Sequence, residues 1–179
     1  EIRAEHVVRK APCPVLVVPG HDGTVPGLVH YRRIVCAVDL SASSLETVGY
    51  AVSLGEESEA AVRLLHVLEL PPELQAMSAR GETEIFQVRA AAEADILRRL
   101  RALVPDEARA LCHVESSVAE GKAYREILKA ASEPAADLIV MGVSGHGAID
   151  RWVFGSTTAS VLRDAVCPVL IVRSASTRT

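Results

Sequence analysis

The chain has 179 residues, of which 49% are hydrophobic and 23% charged, and its formal net charge at pH 7 is −4. This composition excludes a disordered chain, because its apolar content can offset the conformational entropy that is lost on folding. The negative charge argues against an overall basic field that would attract nucleic acid or an anionic membrane. No apolar run approaches the roughly 18 residues that a membrane span needs.

The length corresponds to roughly 1.2 domains, so about thirty residues need a separate explanation. An internal repeat supplies one: Arg9–Pro19 reads RKAPCPVLVVP and Arg163–Arg173 reads RDAVCPVLIVR, with seven of eleven positions identical. We therefore expect residues 1–20 to be the closing helix turn and strand of an upstream, degenerate copy. The Gly- and Pro-containing residues 21–30 would be a linker, and residues 31–179 a complete domain. The missing initiator Met fits a chain cut from a longer tandem protein.

Helix and strand patterns alternate along the chain from Arg32 onwards. The predicted strands are Ile34–Asp39, Val62–Leu68, Leu111–Val118, Leu138–Met141 and Pro168–Val172. The predicted helices are Ser43–Ser58, Glu82–Leu103, Ala123–Ser132 and Ser156–Ala165, with a chain break at Pro71-Pro72. Because parallel neighbours need crossover helices, this order predicts an α/β fold with a doubly wound, five-stranded parallel sheet and helices on both faces.

The four cysteines show no Cys-x-x-Cys or Cys/His spacing typical of a metal site. Cys13, Cys36 and Cys167 lie in strand-like apolar runs, where a free cysteine acts as a small buried hydrophobe. The first residues have no signal-peptide pattern. We therefore predict reduced, structural cysteines and a cytoplasmic protein, with a disulfide or a redox role as the alternative.

Unusual residues follow two of the predicted strands, at the sheet edge where ligands of open α/β folds bind. Asp39 ends the first strand, and the loop GVSGHGAIDRWVFGSTT begins at Gly142 after the fourth. Its glycines allow close approach of the backbone to a ligand, and Gly155-Ser156-Thr157 opens a helix whose free amides favour an anion. The pattern favours a di- or triphosphate site. The simpler alternative is that Gly142 only ends a strand and that Ser156 or Thr157 is an ordinary N-cap.

Two common nucleotide motifs are absent from the sequence. There is no Gly-x-x-x-x-Gly-Lys-Ser/Thr phosphate loop, and the turn after the first strand has no glycine-rich dinucleotide fingerprint. The spacing Gly142-x2-Gly145-x9-Gly155-Ser156 instead resembles the phosphate motif of ATP-binding universal stress proteins. The segments IVCAVDLSASS, RLLHVLEL, DLIVMG and CPVLIVR also resemble that family's strands in order, so the resemblance covers Tyr31 to Arg173.

The resemblance implies a role for each matching residue. Asp39 would contact the ribose or adenine, although by itself it could also be an acid that satisfies its own turn. The base pocket would be lined by Ala37, Val38 and Val67, the last of which could equally be a core residue. Met141 and Gly142 would flank the sugar and phosphates. The phosphates would be held by Gly145, Gly155, Ser156 and Thr157, with Mg²⁺ accompanying them.

Three further basic side chains stand out in the sequence. His146 lies between the loop glycines, where it would contact phosphate or solvent. A general acid/base role is not favoured, because no nucleophile or orienting acid is identifiable. Lys122 could reach a phosphate from a helix start, and His66 is predicted to be structural.

These observations predict a nucleotide-binding regulatory domain of the stress response that binds ATP or an AMP-type nucleotide and hydrolyses ATP slowly at most. The alternative is an interaction module whose pocket is vestigial. We further predict that Val15–Val18 pairs antiparallel with Val169–Val172 and covers a sheet edge. This pairing could join one chain to itself or two chains in a homodimer.

Overall fold

The computed structural model describes residues 4–20, 30–81, 83–133, 135–143 and 155–173. The helices are α1 (Ala4–Lys10), α2 (Ser44–Ser58), α3 (Pro72–Ala79), α4 (Thr83–Ala102), α5 (Asp106–Leu111), α6 (Ala123–Ser132) and α7 (Ser156–Asp164). The strands are β1 (Val15–Val17), β2 (Arg33–Ala37), β3 (Ala61–Leu68), β4 (Val114–Glu120), β5 (Leu138–Gly142) and β6 (Val169–Val172).

All the described strands form one sheet in the order β1-β6-β5-β2-β3-β4. The pairs among β2 to β6 are parallel, as predicted, whereas β1 is antiparallel to β6. The predicted five-stranded sheet is therefore wrong in its strand count, because the short repeat segment joins the sheet as a sixth, edge strand. The strand order reverses between β2 and β5, because β3 and β4 follow on one side of β2 whereas β5 and β6 lie on the other. This is the topological switch point where ligands of such folds bind.

The predicted antiparallel pairing is confirmed within one chain over the three residues of β1. Val15 lies opposite Ile171, and Val17 lies opposite Val169. Val18 is beyond the strand. The preceding helix α1 packs on the same side of the sheet as α7, and its Val8 is completely buried there.

The helix–strand unit α1–β1 thus has the same order as α7–β6, in line with the sequence repeat. The division of the chain into an upstream remnant, a linker and a complete domain stays a prediction. Most of the predicted linker, residues 21–29, lies outside the described residues.

The sheet separates two layers of core, because successive side chains of a strand point to opposite faces. On β2, Ile34 and Cys36 belong to the layer beneath α2, α4 and α5, whereas Val35 belongs to the layer beneath α1, α6 and α7. All three side chains are buried. The aliphatic runs therefore form strands that are covered on both faces.

Two short helices, each preceded by a proline, were not predicted from the sequence. Pro71-Pro72 was interpreted as a break, yet Pro72 occupies the first turn of α3, where its missing N–H costs no hydrogen bond. Pro105 likewise precedes α5, which takes up Leu111 and moves the start of β4 to Val114.

A search of the described helices for a membrane span finds none with the length and apolar character that a span requires.

Candidate functional site

A cavity of about 640 Å³ opens beyond the carboxyl ends of the central strands β2, β3 and β5. Each predicted site residue that the structure describes lines this cavity. These residues are Ala37, Val38, Asp39, Val67, Met141, Gly142, Gly155, Ser156 and Thr157. The other two predicted residues, Gly145 and His146, lie outside the described residues.

Asp39 organises the turn that leads from β2 into α2. Its Oδ1 atom accepts a hydrogen bond from Ser41 N at 3.0 Å and another from Ser44 Oγ at 2.8 Å. Leu40 between them has a φ of 59°, an uncommon value for a residue with a side chain. The carboxylate therefore satisfies its own turn, as the simpler interpretation of the sequence had it, and it also lines the cavity.

His66 fixes the end of β2 from the neighbouring strand β3. Its Nδ1 donates to Val38 O at 2.8 Å, and Val38 N donates to Leu65 O at 2.9 Å. Because a carbonyl oxygen can only accept, this contact requires the proton on Nδ1. Both backbone groups of Val38 are thus tied to β3 immediately before the Asp39 turn. The structural role predicted for His66 agrees with this geometry, although the residue also lines the cavity.

The start of α7 is also part of the cavity lining. Gly155 is its N-cap residue, and no side-chain hydrogen bond caps the helix within the described residues. Ser156 is exposed, Thr157 half-buried and Thr158 buried. The first turn contains no acidic residue. Its amides and hydroxyls therefore form a patch of donors with a positive helix end.

The start of α6, by contrast, is occupied by Glu69, which follows β3. Glu69 Oε1 accepts from Ala123 N at 2.8 Å, and Oε2 lies 3.1 Å from Lys122 Nζ. The hydrogen bond from Ala123 N lowers the pKa of the Glu69 carboxyl, and Lys122 lowers it further. Lys122, which could have reached a phosphate, instead pairs with this carboxylate.

Several cavity residues were not predicted from the sequence. They come from the beginnings of α2, α6 and α7 and from the end of β3. They are Ser43, Ser44, Thr47, Leu65, His66, Leu68, Glu69, Ala123, Ile127 and Thr158. Glu69 could have been found, because it is the acidic residue directly after a predicted parallel strand, the same signal that identified Asp39.

Comparison with known proteins identifies the family of this chain. The sequence pattern of the universal stress protein family matches residues 30–173. The chain belongs to the universal stress protein family. A universal stress protein of Methanocaldococcus jannaschii is 31% identical over 144 residues, which cover 80% of this chain and 82% of that protein.

Solved universal stress proteins share the fold of this domain. The protein UspA of Lactobacillus plantarum is 24% identical with a TM-score of 0.64, over 81% of this chain and 99% of its own. A universal stress protein in complex with cAMP is 26% identical, with a TM-score of 0.55 over 81% and 98% of the two chains. One from Archaeoglobus fulgidus in complex with dAMP is 20% identical, with a TM-score of 0.53 over 80% and 99%.

Proposed function

We propose that this universal stress domain binds an adenine nucleotide, ATP or an AMP-type nucleotide, in the cavity at the switch point of its sheet. Binding would act as a regulatory signal in the stress response of the cytoplasm. The cAMP and dAMP complexes of structural relatives support an adenine nucleotide as the ligand. The free state of all four cysteines agrees with a reducing compartment.

The observation that carries the proposal is the distribution of charge around the helix starts. Of the described helices, α2, α6 and α7 begin at the cavity. Asp39 lies at the start of α2, and Glu69 occupies the start of α6. Only α7 begins with hydroxyl residues and without an acid. A phosphate group therefore finds its most favourable position at Gly155, Ser156 and Thr157.

The apolar part of the cavity lining suits a nucleoside. Ala37, Val38, Val67 and Met141 supply apolar contacts of the kind that enclose a planar base. The hydrogen bonds that Asp39 accepts in its turn both use Oδ1. Its second oxygen could accept a hydrogen bond from a ribose hydroxyl or from the adenine amino group.

Mg²⁺ fits this arrangement as a companion of the phosphates. Among the described residues, no group of three or more His, Cys, Asp or Glu side chains could hold a metal ion by itself. Mg²⁺ commonly keeps several waters and binds through substrate phosphates with few protein ligands. The hydroxyls of Ser156 and Thr157, at the start of α7, could contribute an oxygen.

Binding rather than catalysis is the role that the chemistry of the cavity supports. The titratable side chains of its described lining are Asp39, His66 and Glu69. Each of them already makes a hydrogen bond that holds a turn, a strand end or a helix start. These contacts give each side chain a structural role, and nucleotide binding needs no proton transfer. We therefore propose a binding role, with slow ATP hydrolysis at most.

Isothermal titration of the purified chain with ATP and Mg²⁺ tests this proposal. Ser156→Ile and Gly155→Glu should each weaken binding roughly tenfold or more, because they remove donors or add a like charge at the phosphates. Among the described residues, a Cβ at position 155 would meet only Thr158 Oγ1, at 4.0 Å, so a side chain there is not crowded by them. Gly49→Glu is the matched control, since position 49 of α2 is exposed and has open space around it.

The outcomes separate nucleotide binding from the alternative interaction module. Undiminished affinity in both α7 variants would show that the phosphates bind elsewhere. If titration with ATP, AMP or cAMP gives no heat and the purified chain contains no nucleotide, the result supports an interaction module with a vestigial pocket.

A further inference from the structure

The N-terminus of α6 carries an anion that belongs to the chain itself. Glu69 accepts from the first amide of the helix, Ala123 N, and pairs with Lys122 beside it. A helix-start amide next to a lysine ammonium is a combination that recognises phosphate oxygens. Here the tethered carboxylate fills that position, so the start of α6 is not a ligand site in this chain.

The Glu69 carboxylate faces the ligand space as a negative charge. Glu69 and Ala123 both line the cavity. The Ala123 hydrogen bond and the Lys122 ammonium favour the ionised carboxylate, so the side chain is anionic at neutral pH. Its side chain is 43% exposed and that of Lys122 66%. An ion pair this exposed contributes little to stability, whereas the hydrogen bond from Ala123 N caps the start of the helix. Both contacts also hold the charged carboxylate in the lining of the cavity.

We propose that Glu69 is a specificity-determining residue that denies the start of α6 to phosphates. It thereby restricts the cavity to nucleotides whose phosphates are confined to one end of the molecule. The proposal rests on the proposed function for the position of the phosphates at α7. A nucleotide with a second phosphate group on the ribose brings an anion towards the Glu69 side and is disfavoured. Adenosine 5′-phosphates meet the acid-free α7 and are accepted.

The first experiment compares the affinities of AMP and adenosine 3′,5′-bisphosphate by titration calorimetry. Glu69→Ala should raise the affinity for the bisphosphate relative to AMP roughly three- to tenfold, because one like charge is removed from a solvated cleft. Uncharged adenosine should bind the two proteins equally. Glu115→Ala is the matched control: Glu115 is an exposed acid at the far end of β4, and it pairs with His113 at 3.0 Å. It should leave the ratio unchanged.

A second measurement does not depend on nucleotide binding. Inorganic phosphate is titrated into the isotope-labelled proteins, and the amide signal of Ala123 is followed by NMR. In Glu69→Ala the vacated amide and Lys122 should give a saturable shift. The wild type and Glu115→Ala should give none.

Together, the two measurements distinguish a failure of the role proposed for Glu69 from a failure of the proposed function. In one case the wild type binds AMP, but phosphate does not shift the Ala123 amide signal of Glu69→Ala and the ratio of the two affinities is unchanged. The role of Glu69 is then overturned, whereas the proposed nucleotide site is retained. If the wild type binds no nucleotide while phosphate still shifts Ala123 in Glu69→Ala alone, the proposed function fails. The blocking of α6 by Glu69 is then supported by itself.

Discussion

Gly142 and Thr47 lie so close together that a Cβ atom at position 142 would be 3.2 Å from Thr47 Oγ1. Thr47 cannot easily move, because it is 2% exposed and its hydroxyl lies 3.3 Å from Ser43 O. Both residues line the cavity. The glycine therefore sets how closely the end of β5 approaches the first turns of α2, and with it the width of the cavity at this point.

Gly142→Ala should lower the free energy of unfolding by about 1 kcal/mol, because the added methyl group crowds a buried hydroxyl. Thr47→Ala removes that hydroxyl, so the same change should cost less in its background. Urea denaturation of the two single variants and the double variant gives the coupling between the positions. Additive effects, within about 0.3 kcal/mol, would contradict the contact.

Gly55 has a similar role where α2 crosses β3. A Cβ there would lie 2.5 Å from Val62 Cγ2, and Val62 is only 1% exposed. Gly55→Ala should destabilise the fold by roughly 1–2 kcal/mol, because crowding outweighs the gain in helix propensity. Gly49→Ala in the same helix should stabilise by roughly 0.5–1 kcal/mol, since no atom of the described residues outside the adjoining helix lies within 4 Å of a Cβ built there. Thermal unfolding should therefore shift in opposite directions for the two variants.

These two glycines also show where sequence reasoning reaches its limit. The helix pattern of residues 43–58 predicted α2 almost to the residue. The same pattern gives Gly49 and Gly55 equal weight, because it contains no information about the strand beneath. Which glycine permits a close approach depends on the packing of two elements that are brought together only by the tertiary fold.

The residues of the candidate site likewise fall into those that the sequence predicts and those that only the tertiary fold brings to the cavity. Asp39, Gly142 and Gly155 were predicted because they follow strands or open a helix, and topology places such positions at one sheet edge. Ser44, Thr47 and Ile127 lie within helical patterns, and they reach the cavity only through the way α2 and α6 pack on the sheet. The repeat at Val15–Val17 predicted an edge strand, but sequence alone could not decide between pairing in one chain and between two.

The packing of α1 is a further testable feature. Val8 is completely buried between α7 and the sheet, whereas the adjacent Val7 is 43% exposed. Val8→Ala should lower the free energy of unfolding by about 2 kcal/mol through lost burial and the cavity that remains. Val7→Ala should change it by less than about 0.5 kcal/mol. Equal, small effects in chemical denaturation would show that α1 is not part of the cooperative fold.

Arg173 connects the same helix to the last strand. Its guanidinium donates to Arg9 O at 3.3 Å and to Ala11 O, at the end of α1. Arg173→Met keeps much of the side-chain length but removes these donors. We expect hydrogen exchange of the α1 and β1 amides to accelerate, while exchange in β2 and β5 stays as in the wild type. Unchanged exchange in α1 would mean that these contacts do not hold the segment.

We predict that the buried thiol of Cys36 makes the protein less stable in alkaline solution. The thiol is completely buried beneath α2, with Sγ 4.0 Å from Thr47 O. Burial raises its pKa to about 12 from an ordinary value of 9.0. The unfolded chain therefore releases the proton in a range where the folded chain keeps it. The contribution of this thiol to the free energy of unfolding is fully present below about pH 9 and is lost as the pH rises towards 12.

Unfolding free energies measured by urea denaturation between about pH 8 and about pH 10.5 should fall more steeply for the wild type than for Cys36→Ala. The difference in slope should approach 1.4 kcal/mol per pH unit above the thiol's ordinary pKa, which is about what one proton contributes. Cys13→Ala is the control, because Cys13 is exposed, whereas Cys36 is buried. Its slope should equal that of the wild type. Parallel curves for all three proteins would contradict a thiol held neutral in the core.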